Sequence, residues 1–237
     1  MDSEKNPIVL LAGGFCGGWI WRDVVPLLNE RGYKTTTPTC TGLGERRHLT
    51  HGCVDLSVHL DDVCNHLEME DLWDVTLVGW SFSGMLLPGT LARSAQRIKS
   101  LIYLDAFVPE HGKALVDYLP PAATALLHAY SAANNPLPTS IFFDLFDIKD
   151  RQILEFLTQK LVAHPSRTGT EPAVIPDDIP RVPTTYIRCV HHPTPIMDEA
   201  AERMAADPEV RVVMAPMDHL CMLTAPDHLV SQLLESV

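Results

Sequence analysis

The sequence predicts an α/β protein with three layers, in which a mostly parallel β-sheet lies between helices on both of its faces. Short apolar runs rich in β-branched residues alternate along the chain with segments of helical spacing. The apolar runs are nearly continuous, which is typical of strands buried on both faces of a parallel sheet. The 237 residues, 46% of them hydrophobic, suffice for one full core.

The elements are predicted in chain order from the spacing of apolar residues. The strands are runs bounded by glycine or other turn-forming residues, and they cover 8–14, 33–39, 74–80, 98–107, 184–190 and 210–216. The helices repeat apolar residues every three or four positions, and they cover 19–32, 56–72, a segment that starts near 82, 196–206 and 225–236. Gly32 suits the end of the first helix, because glycine readily adopts the left-handed conformation there.

Residues 109–183 interrupt this alternation. They hold many of the 19 prolines and no convincing strand, whereas 114–131 and 150–162 have helical patterns. We therefore predict a core formed by 1–108 and 184–237, with a mostly helical cap, 109–183, inserted between two core strands.

The composition excludes several classes of partner. The net charge of −12 disfavours nucleic acid and anionic membrane surfaces, because both require a basic face. The first residues lack the basic and long apolar parts of a signal peptide, so we expect a cytoplasmic protein. The six cysteines form no C-x-x-C pair and the eleven histidines show no ligand spacing, so we expect reduced thiols, no metal site and no cofactor.

A serine lies between a predicted strand and a predicted helix in Gly79-Trp80-Ser81-Phe82-Ser83-Gly84. This is the context of a nucleophile elbow, a tight turn that exposes a strained serine and needs small neighbours. The pattern G-x-S-x-G is matched only as G-x-S-x-S-G, because Ser83 takes the place of the last glycine. The alternative is an ordinary serine at a helix N-terminus.

Two other loops lie where a hydrolytic serine would need them. Gly13 and Gly14 lie at the end of the first predicted strand, where a glycine-rich loop supplies a backbone N–H to an oxyanion hole. A phosphate-binding loop is the alternative there, although no lysine follows. Asp218 and His219 follow the last strand, from which a histidine can reach a serine at the carboxyl edge of the sheet.

With these residues the sequence resembles the α/β-hydrolase superfamily over nearly the whole chain. It is most similar to the small-cap group of plant methyl esterases, plant hydroxynitrile lyases and bacterial pyrethroid-type carboxylesterases. The similarity is strongest in "GGWIWRDVVPLL", "DVTLVGWSFSGM", "YLDAFVPEHG" and "MDHLCMLTAPD". The resemblance implies that Ser81 is the nucleophile, His219 the general base, and the N–H groups of Gly14 and Phe82 the oxyanion hole.

The chain departs from the pattern of that group at several positions. Ala12 stands where a histidine is usual, and Ser83 where a glycine is usual, so we expect the following helix to pack slightly further from its strand. The usual acid position after Val190 holds histidines. The superfamily also places the acid at the end of the strand that follows the nucleophile helix, which points to Asp105, with Asp198 as the alternative.

Two further departures concern the type of reaction. Hydroxynitrile lyases of this group use a threonine in the oxyanion loop and a lysine after the catalytic histidine, where this chain has Gly13 and Leu220. Both differences favour ester chemistry. We therefore predict a serine carboxylesterase that cleaves an ester or thioester through an acyl-enzyme.

Two other functions stay open from the sequence. One is a lyase or cyclase that uses the Ser–His dyad as a base without an acyl-enzyme, and the other is a receptor-like module with weak turnover. The substrate is expected to be small and hydrophobic, and a homodimer is plausible from the apolar cap. The residues predicted for the pocket are aromatic or apolar: Phe15, Trp80, Phe82, Met85, Phe142, Phe143 and Leu145.

Overall fold

The computed structural model of the protein describes residues 5–50, 53–146 and 148–237. Its centre is a six-stranded sheet with the strand order β2-β1-β3-β4-β5-β6, and every pair of neighbouring strands is parallel. The strands are β1 (Ile8–Leu11), β2 (Thr35–Thr36), β3 (Val75–Trp80), β4 (Ile98–Leu104), β5 (Thr184–Cys189) and β6 (Val210–Ala215). The predicted α/β class and all six predicted strands are confirmed.

The apolar runs became strands because helices cover both faces of the sheet. Every residue of β1 and of β3 is buried. Alternate residues of β1 enter different cores: Ile8 packs on the side of α1 and α9, and Val9 packs on the side of α2 and α3. Continuous hydrophobicity is therefore what both faces of these central strands require.

Nine α-helices and six short 3₁₀ helices surround the sheet in the described part of the chain. The α-helices are α1 (Val24–Glu30), α2 (Leu56–Met69), α3 (Leu87–Ser94), α4 (Pro121–Ala132), α5 (Ser140–Leu145), α6 (Arg151–Lys160), α7 (Pro195–Ala205), α8 (Cys221–Thr224) and α9 (Pro226–Leu234). The 3₁₀ helices cover Gly18–Trp21, Gly44–Leu49, Ser81–Leu86, Ala95–Arg97, Leu115–Tyr118 and Ser166–Gly169. Among the described residues, no helix is long and apolar enough to cross a membrane.

The helix after β3 differs from its prediction at its start. The chain first forms the 3₁₀ helix Ser81–Leu86, and α3 begins at Leu87. Pro88 lies in the first turn of α3. Proline is tolerated there because an N–H in the first turn has no partner within the helix.

The segment predicted as a cap, 109–183, holds α4, α5 and α6 and contributes no strand to the sheet among its described residues. Leu137 and His164 form an isolated antiparallel bridge inside it. Phe142 of α5 packs edge-on against Phe15 of the loop after β1, with 6.1 Å between ring centroids. This contact brings the segment over the carboxyl edge of the sheet.

Strand register determines which loops meet at that edge. Leu11 pairs with Gly79, and Trp80 pairs with Leu104, so β1, β3 and β4 end at nearly the same level. The chain leaves β1 toward β2 and returns to β3 on the other side, which opens a crevice between the loops after β1 and β3. The loops that carry Gly14, Ser81 and Asp105 therefore start side by side.

Candidate active site

Ser81 occupies a strained turn at the end of β3. Its φ angle is +56°, a left-handed conformation that few residues other than glycine adopt. Close approach of backbone explains the glycines around it: a Cβ added at Gly84 would lie 2.0 Å from the carbonyl oxygen of Phe107. The turn therefore needs Gly84, and it presents a partly exposed Ser81 at the edge of the sheet.

Ser83, which stands where a glycine is usual, fits this turn and joins it to the loop after β1. Its hydroxyl donates a hydrogen bond to the carbonyl oxygen of Ala12, and its side chain is buried. The close contact with the loop after β4 is made at Gly84, one residue further along. Ala12 and Ser83, the two positions at which the chain differs from the usual pattern, thus contact each other and join the loop after β1 to the turn at Ser81.

The loop after β1 lies directly against Ser81. A Cβ on Gly13 would meet the Trp80 ring at 2.8 Å and the Cβ of Ser81 at 3.0 Å. A Cβ on Gly14 would lie 3.8 Å from the Cβ of Phe82. The N–H of Gly14 donates to no other described residue, and that of Phe82 lies in the first turn of a 3₁₀ helix, where N–H groups lack partners within the helix. Two donors are thus available beside Ser81.

A buried carboxylate–imidazole pair lies close to this turn. Nδ1 of His219 is 2.7 Å from Oδ2 of Asp105, and both side chains are almost completely buried. An ionised carboxylate only accepts hydrogen bonds, so Nδ1 carries a proton, and in the neutral form of the ring the lone pair lies on Nε2. Nε2 is buried and has no hydrogen-bond partner among the described residues. Such an acceptor is suited to a hydroxyl proton.

Asp105 is held in place through its second oxygen. Oδ1 accepts hydrogen bonds from Nη1 of Arg188 at 2.8 Å and from the N–H of Cys189 at 3.1 Å. Burial raises the pKa of Asp105, but the hydrogen bond from His219 and the charges of His219 and Arg188 outweigh burial, so the pKa lies below its usual value. The carboxylate is therefore ionised at neutral pH.

Asp198, the alternative acid, is bound to a different partner. Its Oδ1 accepts from Nε of Arg188 at 2.7 Å, and about half of its side chain is exposed, 52%. Among the described residues, no hydrogen bond or ion pair joins Asp198 to His219. The structure thus joins Asp105 to the imidazole and places Asp198 behind Arg188.

Aromatic rings enclose His219. The indole N–H of Trp80 donates to the carbonyl oxygen of His219 at 2.9 Å, and the two ring centroids are 5.2 Å apart. Phe146 stacks nearly parallel to the imidazole, with 4.8 Å between centroids and 10° between planes. Trp80, the residue before Ser81, thus links the strand that carries the serine to the loop that carries the histidine.

Three residues of the site were missed by the sequence reasoning: Arg188, Phe146 and His164. Arg188 had a visible signal, because an arginine inside the apolar run of β5 must find buried partners. Phe146 and His164 lie outside the two helical patterns of 109–183, at 114–131 and 150–162, so no periodicity indicated which way their side chains point.

A cavity of about 310 Å³ lies beside Ser81. Its wall is formed by apolar side chains, apart from Ser81, His164 and the indole of Trp80. Five residues predicted for the pocket line it: Phe15, Trp80, Phe82, Phe142 and Leu145. Such a wall favours the apolar part of a ligand.

Met85 and Phe143, also predicted for the pocket, do not line this cavity. Met85 is buried in the core between the sheet and helices α2 and α3. Phe143 follows Phe142 on α5, and successive helical side chains point about 100° apart, so only one of the two faces the cavity. A larger cavity of about 630 Å³ next to Arg47 and Pro165 contains none of the predicted catalytic residues.

The described residues contain no group of three or more His, Cys, Asp or Glu side chains that could hold a metal ion.

A parallel sheet that carries a serine on a left-handed turn, with a buried Asp–His pair and a glycine loop at the same edge, defines the class of α/β proteins with a nucleophile elbow. The chain belongs to the alpha/beta hydrolase family, whose sequence profile matches residues 8–233. The predicted resemblance to this superfamily is confirmed.

Two of the relatives are esterases by name. The carbendazim hydrolyzing esterase of Nocardioides sp. (strain SG-4G) is 40% identical over 155 residues, which are 60% of this chain and 64% of that protein. The putative methylesterase 11, chloroplastic, of Arabidopsis thaliana is 28% identical over 157 residues, which are 63% of this chain and 40% of that protein. The chain thus spans less than two thirds of the length of each of these relatives.

A solved structure shares the fold over almost all of both chains. It is described as an extracellular alpha/beta-hydrolase from a Paenibacillus species with structural and functional homology to tobacco salicylic acid binding protein 2. The TM-score is 0.80 with 19% sequence identity, and the match covers 98% of this chain and 99% of that chain. The similarity shows the same fold.

Proposed function

We propose that the protein is a serine carboxylesterase in which Ser81 is the nucleophile, His219 the general base and Asp105 the orienting acid. The observation that carries this proposal is the buried His219–Asp105 pair, whose 2.7 Å contact leaves Nε2 unpartnered. Its imidazole packs against Trp80, the residue that directly precedes Ser81 on the left-handed turn. The esterase names of the two relatives support the same reaction.

In the first half of the reaction, Oγ of Ser81 attacks the ester carbonyl carbon while Nε2 of His219 takes the hydroxyl proton. Asp105 keeps the proton of Nδ1 in place and stabilises the imidazolium that forms. The carbonyl oxygen becomes an oxyanion, which the N–H groups of Gly14 and Phe82 stabilise; loss of one such donor typically costs about 3–4 kcal/mol.

The intermediate then collapses, and the bond between the carbonyl carbon and the leaving oxygen breaks. His219 returns its proton to that oxygen, so an alcohol leaves and the acyl group stays on Ser81. In the second half, a water molecule gives its proton to Nε2 and attacks the acyl carbon. The acid is released, and Ser81 regains its hydroxyl proton from His219.

We propose that the acyl part of the substrate is small and apolar. The cavity beside Ser81 has a volume of about 310 Å³ and is walled by aromatic and aliphatic side chains. That volume lies at the low end for ligand sites, which favours an acyl group of roughly one aromatic ring or a short branched chain.

The proposal is tested first by covalent labelling. A serine-directed fluorophosphonate is expected to modify Ser81, identified by mass spectrometry of the peptide, and p-nitrophenyl butyrate is expected to give a burst of p-nitrophenol. Ser81→Ala should lose both signals. Ser231→Ala, which changes an exposed serine on α9, should keep both. Native protein that is neither labelled nor active would reject the proposal.

The other two functions predict different patterns. Turnover that survives in Ser81→Ala and disappears in His219→Ala would identify base catalysis without an acyl-enzyme. Saturable binding of an apolar ester, without turnover in the native protein, would identify a receptor-like module. The esterase requires that both variants lose turnover.

We also propose a reducing, cytoplasmic location. All six cysteines are free thiols, and the Sγ atoms of Cys189 and Cys221 lie 4.0 Å apart without a bond. A disulfide needs about 2.05 Å between its sulfur atoms, and six free cysteines fit a compartment in which thiols stay reduced. Fractionation of the source cells checks the location. The homodimer stays a prediction, which light scattering after gel filtration checks.

A further inference from the structure

We propose that His164 is a positioning residue that holds the oxyanion loop in its working conformation. The inference rests on the proposed function above. Nδ1 of His164 accepts a hydrogen bond from the N–H of Phe15 at 3.1 Å, across 149 residues of sequence. Phe15 directly follows Gly14, so His164 fixes the peptide unit adjacent to the proposed oxyanion donor.

The backbone at Phe15 requires such support. Its φ angle is +66°, and a non-glycine residue in that region carries a conformational cost of about 1–3 kcal/mol. The same segment of the chain binds both backbone groups of Phe15: His164 accepts from the N–H, and the N–H of Val162 donates to the carbonyl oxygen at 3.1 Å. Residues 162–164 therefore act as a clamp on the loop.

A second set of hydrogen bonds fixes the imidazole itself. Nε2 of His164 lies 2.8 Å from Oγ1 of Thr168, and that hydroxyl donates to the carbonyl oxygen of Pro165 at 2.7 Å. Because the hydroxyl proton is used on Pro165, Thr168 accepts from His164 and Nε2 carries the ring proton. Nδ1 is then a pure acceptor, as the bond to Phe15 requires.

The ring is neutral, and neither nitrogen is free to move protons. Burial, followed by the neighbouring charge of His59, lowers the pKa of His164 to about 3. A neutral ring with both nitrogens engaged does not act as a general acid or base at neutral pH. Its remaining role is to hold its partners in place.

His164 also contacts both residues of the proposed oxyanion hole. A Cβ on Gly14 would lie 3.7 Å from Nδ1 of His164, and the ring of Phe82 packs edge-on against the imidazole, with 4.8 Å between centroids. The ring lines the cavity beside Ser81. Loss of its acceptor frees the peptide between Gly14 and Phe15 to rotate, which weakens the oxyanion hole more than it weakens ground-state binding.

The test compares two amides at this position. In His164→Asn the amide oxygen can occupy the place of Nδ1 and accept from Phe15, whereas in His164→Gln the amide reaches the place of Nε2 and Thr168. We expect kcat for p-nitrophenyl butyrate to fall about 10- to 100-fold in His164→Gln, with KM changed less than about threefold. The upper value corresponds to the complete loss of one oxyanion-hole donor. His164→Asn should stay within about fivefold of the native kcat.

A second measurement separates this inference from the proposed function. The Phe15 amide is expected to be protected from hydrogen exchange, followed by NMR, in the native protein and in His164→Asn, and to exchange faster in His164→Gln. This comparison needs no turnover, so it stands even if no ester is cleaved. Equal kcat and equal Phe15 protection in both variants would overturn the inference, as would a rise in KM alone.

Discussion

Replacement of Asp105 by asparagine tests the site most directly, because the two oxygens of this carboxylate have different partners. Oδ2 faces the Nδ1–H of His219 at 2.7 Å, while Oδ1 accepts from Arg188 at 2.8 Å and from the N–H of Cys189 at 3.1 Å. Asparagine keeps the shape of the side chain, but an NH₂ group, which is a hydrogen-bond donor, replaces one of the two carboxylate oxygens. The hydrogen-bond partners around the side chain determine whether the NH₂ group takes the place of Oδ1 or of Oδ2.

The donors around Oδ1 determine the orientation of the new amide. If the NH₂ group faced Arg188 and Cys189, two buried donors would lose their acceptor, at a cost of about 1–3 kcal/mol each. The amide oxygen therefore stays at the Oδ1 position, and the NH₂ group faces Nδ1 of His219. The ring must then accept at Nδ1 and carry its proton on Nε2, where it cannot receive the proton of Ser81.

The wrong tautomer has a large kinetic effect. We expect kcat for p-nitrophenyl butyrate to fall by about 10⁴-fold in Asp105→Asn, which equals about 5.4 kcal/mol in activation free energy. Asp198→Asn is the matched control, because Asp198 binds Arg188 and is half exposed. It should keep kcat within about tenfold, since exposed ion pairs contribute up to about 1 kcal/mol.

The assay compares kcat of the two variants at one pH, with urea unfolding curves to show that both are folded. The assignment of the acid is refuted if Asp105→Asn retains kcat within about tenfold of the native value, or if Asp198→Asn loses more than Asp105→Asn.

Three further expectations concern stability and reactivity. Gly84→Ala should lower the free energy of unfolding by about 3 kcal/mol or more, because its Cβ would lie 2.0 Å from the Phe107 carbonyl oxygen. Gly112→Ala, at a position with open space but a φ of +77°, should lower it by about 1 kcal/mol. Urea titration measures both values, and equal losses in the two variants would contradict this expectation. The pKa of His164 is lowered from 6.5 to about 3, so the unfolded chain binds more protons between these values. Stability should therefore fall as the pH drops from about 6.5 toward 3, by at most about 5 kcal/mol from this residue, and His164→Asn should show a shallower fall; parallel curves would count against it. Iodoacetamide should modify the exposed Cys53 in the native protein, while the four buried cysteines should react only after unfolding. Peptide mass spectrometry identifies the modified residues, and labelling of a buried cysteine before Cys53 would contradict this expectation.

The helices and strands were predictable because the burial of an element requires a local pattern of apolar residues in the sequence. The runs that became β1 and β3 are apolar without interruption, since helices cover both faces of these strands. The turn at Ser81 was predictable for a similar reason, because a strand, a serine and the glycine at position 84 follow one another within a few residues. Chain order then placed His219 after the last strand.

The contacts between distant segments were decided only in three dimensions. Asp105 and Asp198 were both reasonable acids from the sequence, and the side chain of Arg188 separates them by binding Asp105 on one side and Asp198 on the other. The clamp of His164 on Phe15 joins residues that are 149 positions apart in the chain, and no local sequence pattern predicts it.

The sequence by itself thus determined the class of fold and the order of the loops that carry the site, because both depend on periodic burial and on which strand each loop follows. The tertiary structure decided which carboxylate meets the imidazole, which aromatic rings line the cavity and which imidazole holds the oxyanion loop. These depend on strand register and on the direction of single side chains, and a change of about one ångström or one helical position alters them while the hydrophobic pattern stays the same.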